Sequence, residues 1–326
     1  MELADIHWQP ECSVDLMHLR AKLLHEIRAY FYANNVLEVE TPILCQGAGT
    51  DPYLEHFTSY QTAMDKLYLQ TSPEFAMKRL LAANAQSIYQ ICKAFRQGES
   101  GRFHNPEFTL LEWYRVGFNL TQLMDDIENL LSVLLDGKRF PDKAQRISYT
   151  AVFEKYTGLD ALQFNFDLYQ SVAIKQGYPE AGSLCGSDHA AWLDFLFSHC
   201  VQKDLGKTGL CMVYDYPACL PSLARIKADN SLLVERVEVF LLGIELGNGY
   251  FELSDADEQN RRFEQDIFLR EQNGADKIPK DKRLLAALQN GLPDCSGIAL
   301  GLDRLLMILS QKNAINEVLA FSIKNA

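Results

Sequence analysis

Two stretches of this chain carry residues whose types and spacing could do chemistry. In "GIELGNGYFEL" (243–253) two carboxylates, Glu245 and Glu252, flank a glycine-rich tripeptide. On a straight strand they would lie roughly 23 Å apart on opposite faces. Gly247, Asn248 and Gly249 lie between them, and Asn-Gly is a strong turn signal, so the expectation is a fold-back that makes the glutamates neighbours. Like charges placed together destabilise a sheet unless a cation sits between them, and Mg²⁺ bound to carboxylates and phosphates is the natural candidate. Two exposed glutamates on a mobile turn are the plainer alternative.

The second stretch, "FRQGESGRFHNPEFTLLEWYR" (95–115), sets Arg96, Arg102 and Arg115 with His104 and Asn105 around a loop, charge suited to gripping a polyanion. An aromatic run with a single acid, Glu112, follows. Alternate strand residues share a face, so Phe108, Leu110, Glu112 and Tyr114 point one way, and Leu111 and Trp113 point into the core. A carboxylate and a phenol side by side can line a pocket for an ammonium group; a glutamate that faces solvent or pairs with an arginine is the alternative. In "TSPEF" (71–75), Ser72 can cap a helix running from Pro73 to Leu81, which leaves Glu74 for other work. In "GIALGLDRLLM" (297–307), Gly297, Ala299 and Gly301 leave room on one strand face for close packing or a flat ligand, and Arg304 follows at a helix start. These glycines do not fit the dinucleotide-binding fingerprint, and no P-loop signature occurs anywhere in the chain.

The elements that must position these residues can be read from periodicity. Apolar residues at 16, 19, 23, 27 and 31 predict an amphipathic helix over 16–34, followed by a strand-like run at 36–44. Strands are expected at 65–75, 87–96, 108–115, 234–246 and 297–302, and helices at 121–135, 188–204, 257–273 and from Asp303. Distant strands with helices between them predict an α+β fold with a mixed or antiparallel sheet. Composition agrees with a soluble globular protein, at 48% apolar and 23% charged residues. The net charge of −12 excludes a general basic face for nucleic acid, but not a small anion in a local basic pocket. The eight cysteines have no zinc-like spacing and are expected to be reduced. With no long apolar run and no signal-like N-terminus, the expected location is cytoplasmic.

Taken together, these segments resemble the catalytic domain of class II aminoacyl-tRNA synthetases, in the lysyl branch. Residues 16–44 look like the dimer-forming motif 1, "FRQGESGRFHNPEF" like motif 2 and "GIALGLDR" like motif 3; "TSPEF", "LEWY" and "ELGNGYFEL" look like the lysine-pocket and metal segments. The resemblance implies an antiparallel sheet flanked by helices in a single catalytic domain over 1–326, with a helical insertion at roughly 137–210. No anticodon-binding domain is expected ahead of motif 1. That pattern resembles the short paralogues that activate (R)-β-lysine with ATP and Mg²⁺ and transfer it to a lysine of elongation factor P. It further implies a homodimer that does not bind tRNA stably.

The residue roles come from the same resemblance. Arg96 is the catalytic arginine at the α-phosphate, and Arg102 and His104 lie near the outer phosphates. Gln97, Gly98, Glu99, Asn105 and Leu246 contact the nucleotide, Phe108 and Arg304 sandwich the adenine, and Gly301 lets the ring approach. Glu245 and Glu252 hold Mg²⁺, and Glu252 also approaches the substrate. Glu112 and Tyr114 take the side-chain ammonium, and Ser72, Pro73 and Glu74 approach the other amino group beside Ala299. Relatives that act on tRNA or a small amine, and non-catalytic sensors of amino acid or nucleotide, are the rival readings. The chain departs from the family twice. Gly98 stands where a glutamate usually reads the adenine, with Glu99 next, and Ala299 replaces a glycine. One methyl group is worth about 1–3 kcal/mol of discrimination. Ala299→Gly should therefore raise α-lysine activation relative to β-lysine; an unchanged ratio in pyrophosphate exchange would rule this out.

Overall fold

The structure is a computed structural model that describes residues 8–62, 65–135 and 143–326. The chain divides into two compact units. The first comprises the chain up to Gly117 together with Ser254–Asp294 and Ala299–Ala326, and the second comprises Phe118–Leu253 and Cys295–Ile298.

The first unit opens with α1 (Val14–Ala33), capped by the Ser13 hydroxyl, which accepts the Leu16 N–H. Its apolar stripe of Leu16, Leu23, Ile27 and Phe31 is buried, as the spacing predicts. The strand expected over 36–44 is broken into β1 (Leu37–Glu38) and β2 (Leu44–Cys45), which join different sheets. Pro42 between them has no N–H to continue a ladder. There follow β3 (Thr58–Tyr60), β4 (Lys66–Leu69), α2 (Glu74–Asn84), β5 (Ile88–Phe95) and β6 (Glu107–Val116). β2, β4 and β3 form a small antiparallel sheet in that order. β5 pairs antiparallel with β6 from Ile88–Tyr114 to Phe95–Glu107, and parallel with β1. Phe31 stacks on Tyr89 with ring centroids 4.4 Å apart and lies 5.5 Å from Trp113, which locks α1 to one face of these strands.

The second unit contains α3 (Leu120–Leu134), β7 (Gln145–Ser148), α4 (Tyr149–Thr157), α5 (Phe166–Lys175), α6 (Ala181–Cys185), α7 (His189–Leu196), β8 (Cys211–Pro217), β9 (Leu233–Leu241) and β10 (Ile244–Phe251). The insertion expected at roughly 137–210 is mainly helical here, and its first residues, 137–142, lie outside the described ones. Its helices bury Tyr149, Phe153, Tyr169, Trp192 and Phe197 in an aromatic core of this unit. β8, β9 and β10 are an antiparallel run. The chain then returns to the first unit with α8 (Ala256–Gln272) and α9 (Lys282–Asn290), and ends with β11 (Cys295–Gly301) and α10 (Leu302–Ser310). In the first unit β1, β5 and β6 are hydrogen-bonded in that order, and in the second β10, β9, β8 and β7, with β1–β5 and β7–β8 parallel and the other pairs antiparallel. No described helix is long and apolar enough to cross a membrane, and all eight cysteines are free.

One expectation is corrected. The chain does not fold back at Gly247–Gly249; β10 runs through them unbroken. The reversal comes earlier, at Leu242 and Gly243, whose φ angles of +54° and +74° make the tight turn between β9 and β10. Gly249 is small for a different reason. A Cβ there would lie 2.6 Å from the Gly297 carbonyl oxygen and 2.7 Å from the Ile298 Cβ, so β11 can pass only a bare backbone. Its own φ is not left-handed, so the close approach is the constraint rather than backbone strain. Gly249→Ala should cost about 1–3 kcal/mol of stability through overpacking, read as a lower denaturant midpoint with an unchanged m-value.

Candidate active site

In the first unit, Glu112 is 2% exposed on β6. Two hydroxyls hold its carboxylate. The Ser72 Oγ donates to Oε2 and the Tyr114 OH donates to Oε1, each at 2.7 Å. Ser72 also accepts the Glu74 N–H at 3.0 Å, so it serves the first turn of α2 and the carboxylate together. The alternatives of a solvent-facing or arginine-paired Glu112 do not hold. Burial, followed by the charge of Glu74, pushes the Glu112 carboxyl up to about 8, against the pull of Tyr114, Ser72 and Lys78. Lys78, 1% exposed, donates to Glu74 Oε1 at 2.6 Å. Sequence reasoning missed this lysine. Its signal was present, because a glutamate four residues before a lysine on a helix is the favoured ion-pair spacing.

The motif 2 segment is a hairpin beside this cluster in sequence. Arg96 lies over the Phe108 ring at 5.1 Å and reaches Glu99 at 3.6 Å, and its buried Nε has no hydrogen-bond partner. Gly98 has φ +82°, a conformation that a glutamate resists, and the acid appears one residue later, 3.6 Å from Arg96 and 4.0 Å from His104. Gln97 donates its N–H to the Glu55 carbonyl. Arg304, at the start of α10, donates to His104 Nε2 at 2.7 Å and to the Phe103 carbonyl at 3.2 Å. Burial and then the Arg304 charge lower the His104 pKa, which favours neutral imidazole. Arg102 turns away to the Asn313 carbonyl and lies over Phe103. Asn105 is engaged with the backbone, donating to the Glu107 carbonyl and accepting the Ile323 N–H, so its carboxamide shapes the loop. Asp303, 2% exposed, accepts from Arg20 at 2.5 Å and from the Thr109 N–H at 2.7 Å, pinning α10 and Arg304 to α1 and β6. Ala299 and Gly301 lie on the last residues of β11, just before α10.

In the second unit, Glu245 and Leu246 lie on β10 and Glu252 comes directly after it. A register shift between Glu245 and Gly247 makes Leu246 an extra residue. Glu245 opposes Phe240, Asn248 opposes Glu238 and Tyr250 opposes Arg236, so the bulge turns Glu245 onto the face of Asn248 and Tyr250. Without it, Glu245 would face the other way. Glu252 continues that alternation, with its N–H bonded to the Cys295 carbonyl, and is 1% exposed. Glu245 and Glu252 thus share a face of the strand. A further carboxylate that feels the Glu245 charge is Glu238, which sequence reasoning missed. Burial and then the Glu245 charge raise its pKa, while Arg236, 2.5 Å away, lowers it. Arg236 also reaches Asn248 Oδ1 at 3.3 Å and lies 4.4 Å from the Tyr216 ring. Glu238 is thus already paired with Arg236, and among the described residues no group of three or more His, Cys, Asp or Glu side chains is gathered for a metal.

The raised Glu112 pKa has a sign that can be checked. Below 4.5 the carboxyl is protonated in both the folded and the unfolded chain; between 4.5 and about 8 only the folded chain keeps the proton, so stability falls as pH rises through this window. Glu112→Gln removes that dependence. Its melting temperature should exceed that of the wild type by a margin that grows from pH 5 to pH 8. A constant margin would contradict the assignment.

A family model for class II tRNA synthetases (D, K and N) matches residues 6–325. Among curated proteins, the chain is 43% identical over 326 residues to the elongation factor P–(R)-beta-lysine ligase of Pseudoalteromonas translucida (strain TAC 125), covering 98% of each chain. It is 44% identical over 325 residues to the ligase of that name from Pasteurella multocida (strain Pm70), again covering 98% of each. With the one from Haemophilus ducreyi (strain 35000HP / ATCC 700724) it shares 42% identity over 331 residues, covering 99% of this chain and 98% of the relative. A match along almost the whole chain, with the arginine hairpin, the buried β6 glutamate and the Gly-Leu-Asp-Arg strand end each in place, leaves one conclusion: the chain belongs to the class II tRNA synthetase (D, K and N) family.

Proposed function

We propose that the protein activates (R)-β-lysine with ATP and transfers it to a lysine ε-amine of elongation factor P. The observation that carries this reading is the buried Glu112 carboxylate, held by Ser72 and Tyr114 and crowded by Glu74. Two acids with a single buried lysine between their charges favour a ligand that brings ammonium groups. The relatives' shared name supplies the particular amino acid and the acceptor.

In the first step, a carboxylate oxygen of β-lysine attacks the α-phosphorus of ATP, and pyrophosphate leaves. Arg96 answers the charge that builds on the phosphoryl oxygens, a role supported by its unpartnered Nε donor and its planar fork. Phe108 and Arg304 hold the adenine, with Glu99 in the place usually filled by the residue at Gly98. His104 would lie toward the outer phosphates, Arg102 would join it by leaving the Asn313 carbonyl, and Gln97, Asn105, Leu246 and Gly301 would contact the nucleotide. Glu112 and Tyr114 bind the terminal ammonium, and Ser72, Pro73, Glu74 and Glu252 serve the other amino group, with Ala299 beside the carbon chain. Glu245 and Glu252 would hold Mg²⁺, which would supply positive charge to the triphosphate. In the second step, the acceptor amine attacks the acyl carbon, the new amide forms and AMP leaves. Orientation and fixed charge carry most of the rate, and no enzyme nucleophile is needed.

We further propose a homodimer acting in the cytoplasm without stable tRNA binding. The net charge of −12 opposes a polyanionic partner. The motif 1 segment exposes Tyr32, Leu37, Ile43 and Leu44, apolar area of the kind a second copy would cover. Pyrophosphate exchange should depend on β-lysine, and purified elongation factor P should gain the mass of one β-lysyl group. Charging of tRNA without modification of the factor would overturn the proposal.

A further inference from the structure

Arg270, on α8, is completely buried, yet its guanidinium has little carboxylate to answer it. It spends its donors on backbone. Nη1 donates to the carbonyls of Asp51 and Leu54, each at 2.7 Å, and Nε to that of Asp276 at 3.2 Å; only Nη2 touches an acid, Glu55 Oε1 at 3.4 Å. Burying a cation is expensive unless its donors are filled, so these carbonyls must stay gathered around it. One turn earlier on the same helix, Asp266 accepts the Thr50 hydroxyl at 2.8 Å. Segment 50–55 is thus tied to α8 at both of its ends. It also carries a load. The Glu55 carbonyl accepts the N–H of Gln97, the residue directly after Arg96, in an isolated antiparallel bridge.

We infer that Arg270 is a positioning residue for adenylate formation: through segment 50–55 and the Glu55–Gln97 bridge, it fixes the backbone that carries Arg96. The ammonium-binding limb has a ladder of its own, which meets this brace at the Lys66–Asp276 ion pair and the Phe95–Gln70 backbone bond. Phe57 bonds Leu69, Thr58–Tyr60 pair with Lys66–Tyr68, and Ser72 beyond them is held by Glu112. Loosening Arg270 therefore disturbs the Arg96 limb, which hangs from segment 50–55 directly, more than the ammonium-binding limb, which keeps its own strand pairing and the Ser72–Glu112 bond.

This rests on Arg96 acting on ATP, as proposed above. The test is pyrophosphate exchange by the full chain, measured well below its melting temperature. Arg270→Lys, whose ammonium cannot fan out to three carbonyls, should lower kcat/KM for ATP roughly 10- to 100-fold and leave the KM for β-lysine within about 2-fold. Thr50→Val loosens the segment at its other tie without touching the buried cation. It should show the same split at smaller amplitude, and it decides the matter if Arg270→Lys does not fold. A parallel loss on both substrates, as a shrinking folded fraction would give, overturns the inference; so does a normal ATP dependence in the folded variants. Arg96→Ala serves as the control. Retained exchange in it would remove the reading of the site and this inference together, whereas lost exchange in it beside normal ATP dependence in the brace variants would overturn the brace alone.

Discussion

Taking the Glu112 carboxylate out of water costs several kcal/mol unless its oxygens are filled, and the first unit is arranged around that cost. Ser72 can donate to Glu112 only because the α2 turn presents it there, and that turn follows directly from β4. Tyr114 can donate only because β6 keeps residues 112 and 114 on one face. The two hydroxyls do not fully compensate the charge, since burial and Glu74 still raise the pKa. The remaining deficit is what an incoming ammonium group would relieve, so the pocket's affinity and its cost to the empty fold have the same origin.

The arginine hairpin follows the opposite logic. Arg96 lies over an aromatic ring and reaches Glu99 at 3.6 Å, and Arg304 donates to a histidine and a carbonyl. Contacts of that kind hold a guanidinium in place while leaving its charge available to an anion. The firm bonds in this region belong to residues behind the site: Asp303 to Arg20 and Thr109, Asn105 to the backbone of Glu107 and Ile323. Rigid support thus stands behind the two arginines proposed to meet ATP.

Most elements were legible because their periodicity is simple. α1, β5, β6, α8 and α10 fall within a few residues of where the apolar spacing puts them, and the shared face of Glu112 and Tyr114 follows from the strand repeat alone. What could not be read depended on neighbours distant in sequence. The Gly-Asn-Gly run imitates a turn, but Gly249 is there because β11 passes too close for a side chain. The true turn uses Leu242 in a left-handed conformation, which leucine does not advertise. Glu238 escaped notice because its proximity to Glu245 exists only after β9 and β10 are set in register. Lys78 was readable from its spacing to Glu74, but its burial was not.

The unpaired Leu246 acts as a phase step in the β10 strand. Residues on both sides of it keep their register with β9, while the odd–even alternation of the sequence shifts by one. Pairing that one residue into the ladder would leave composition, charge and hydrophobic content untouched, yet would rotate Glu245 to the reverse side of the sheet while Asn248, Tyr250 and Glu252 stayed put. In this segment, the count of residues matters as much as their chemistry.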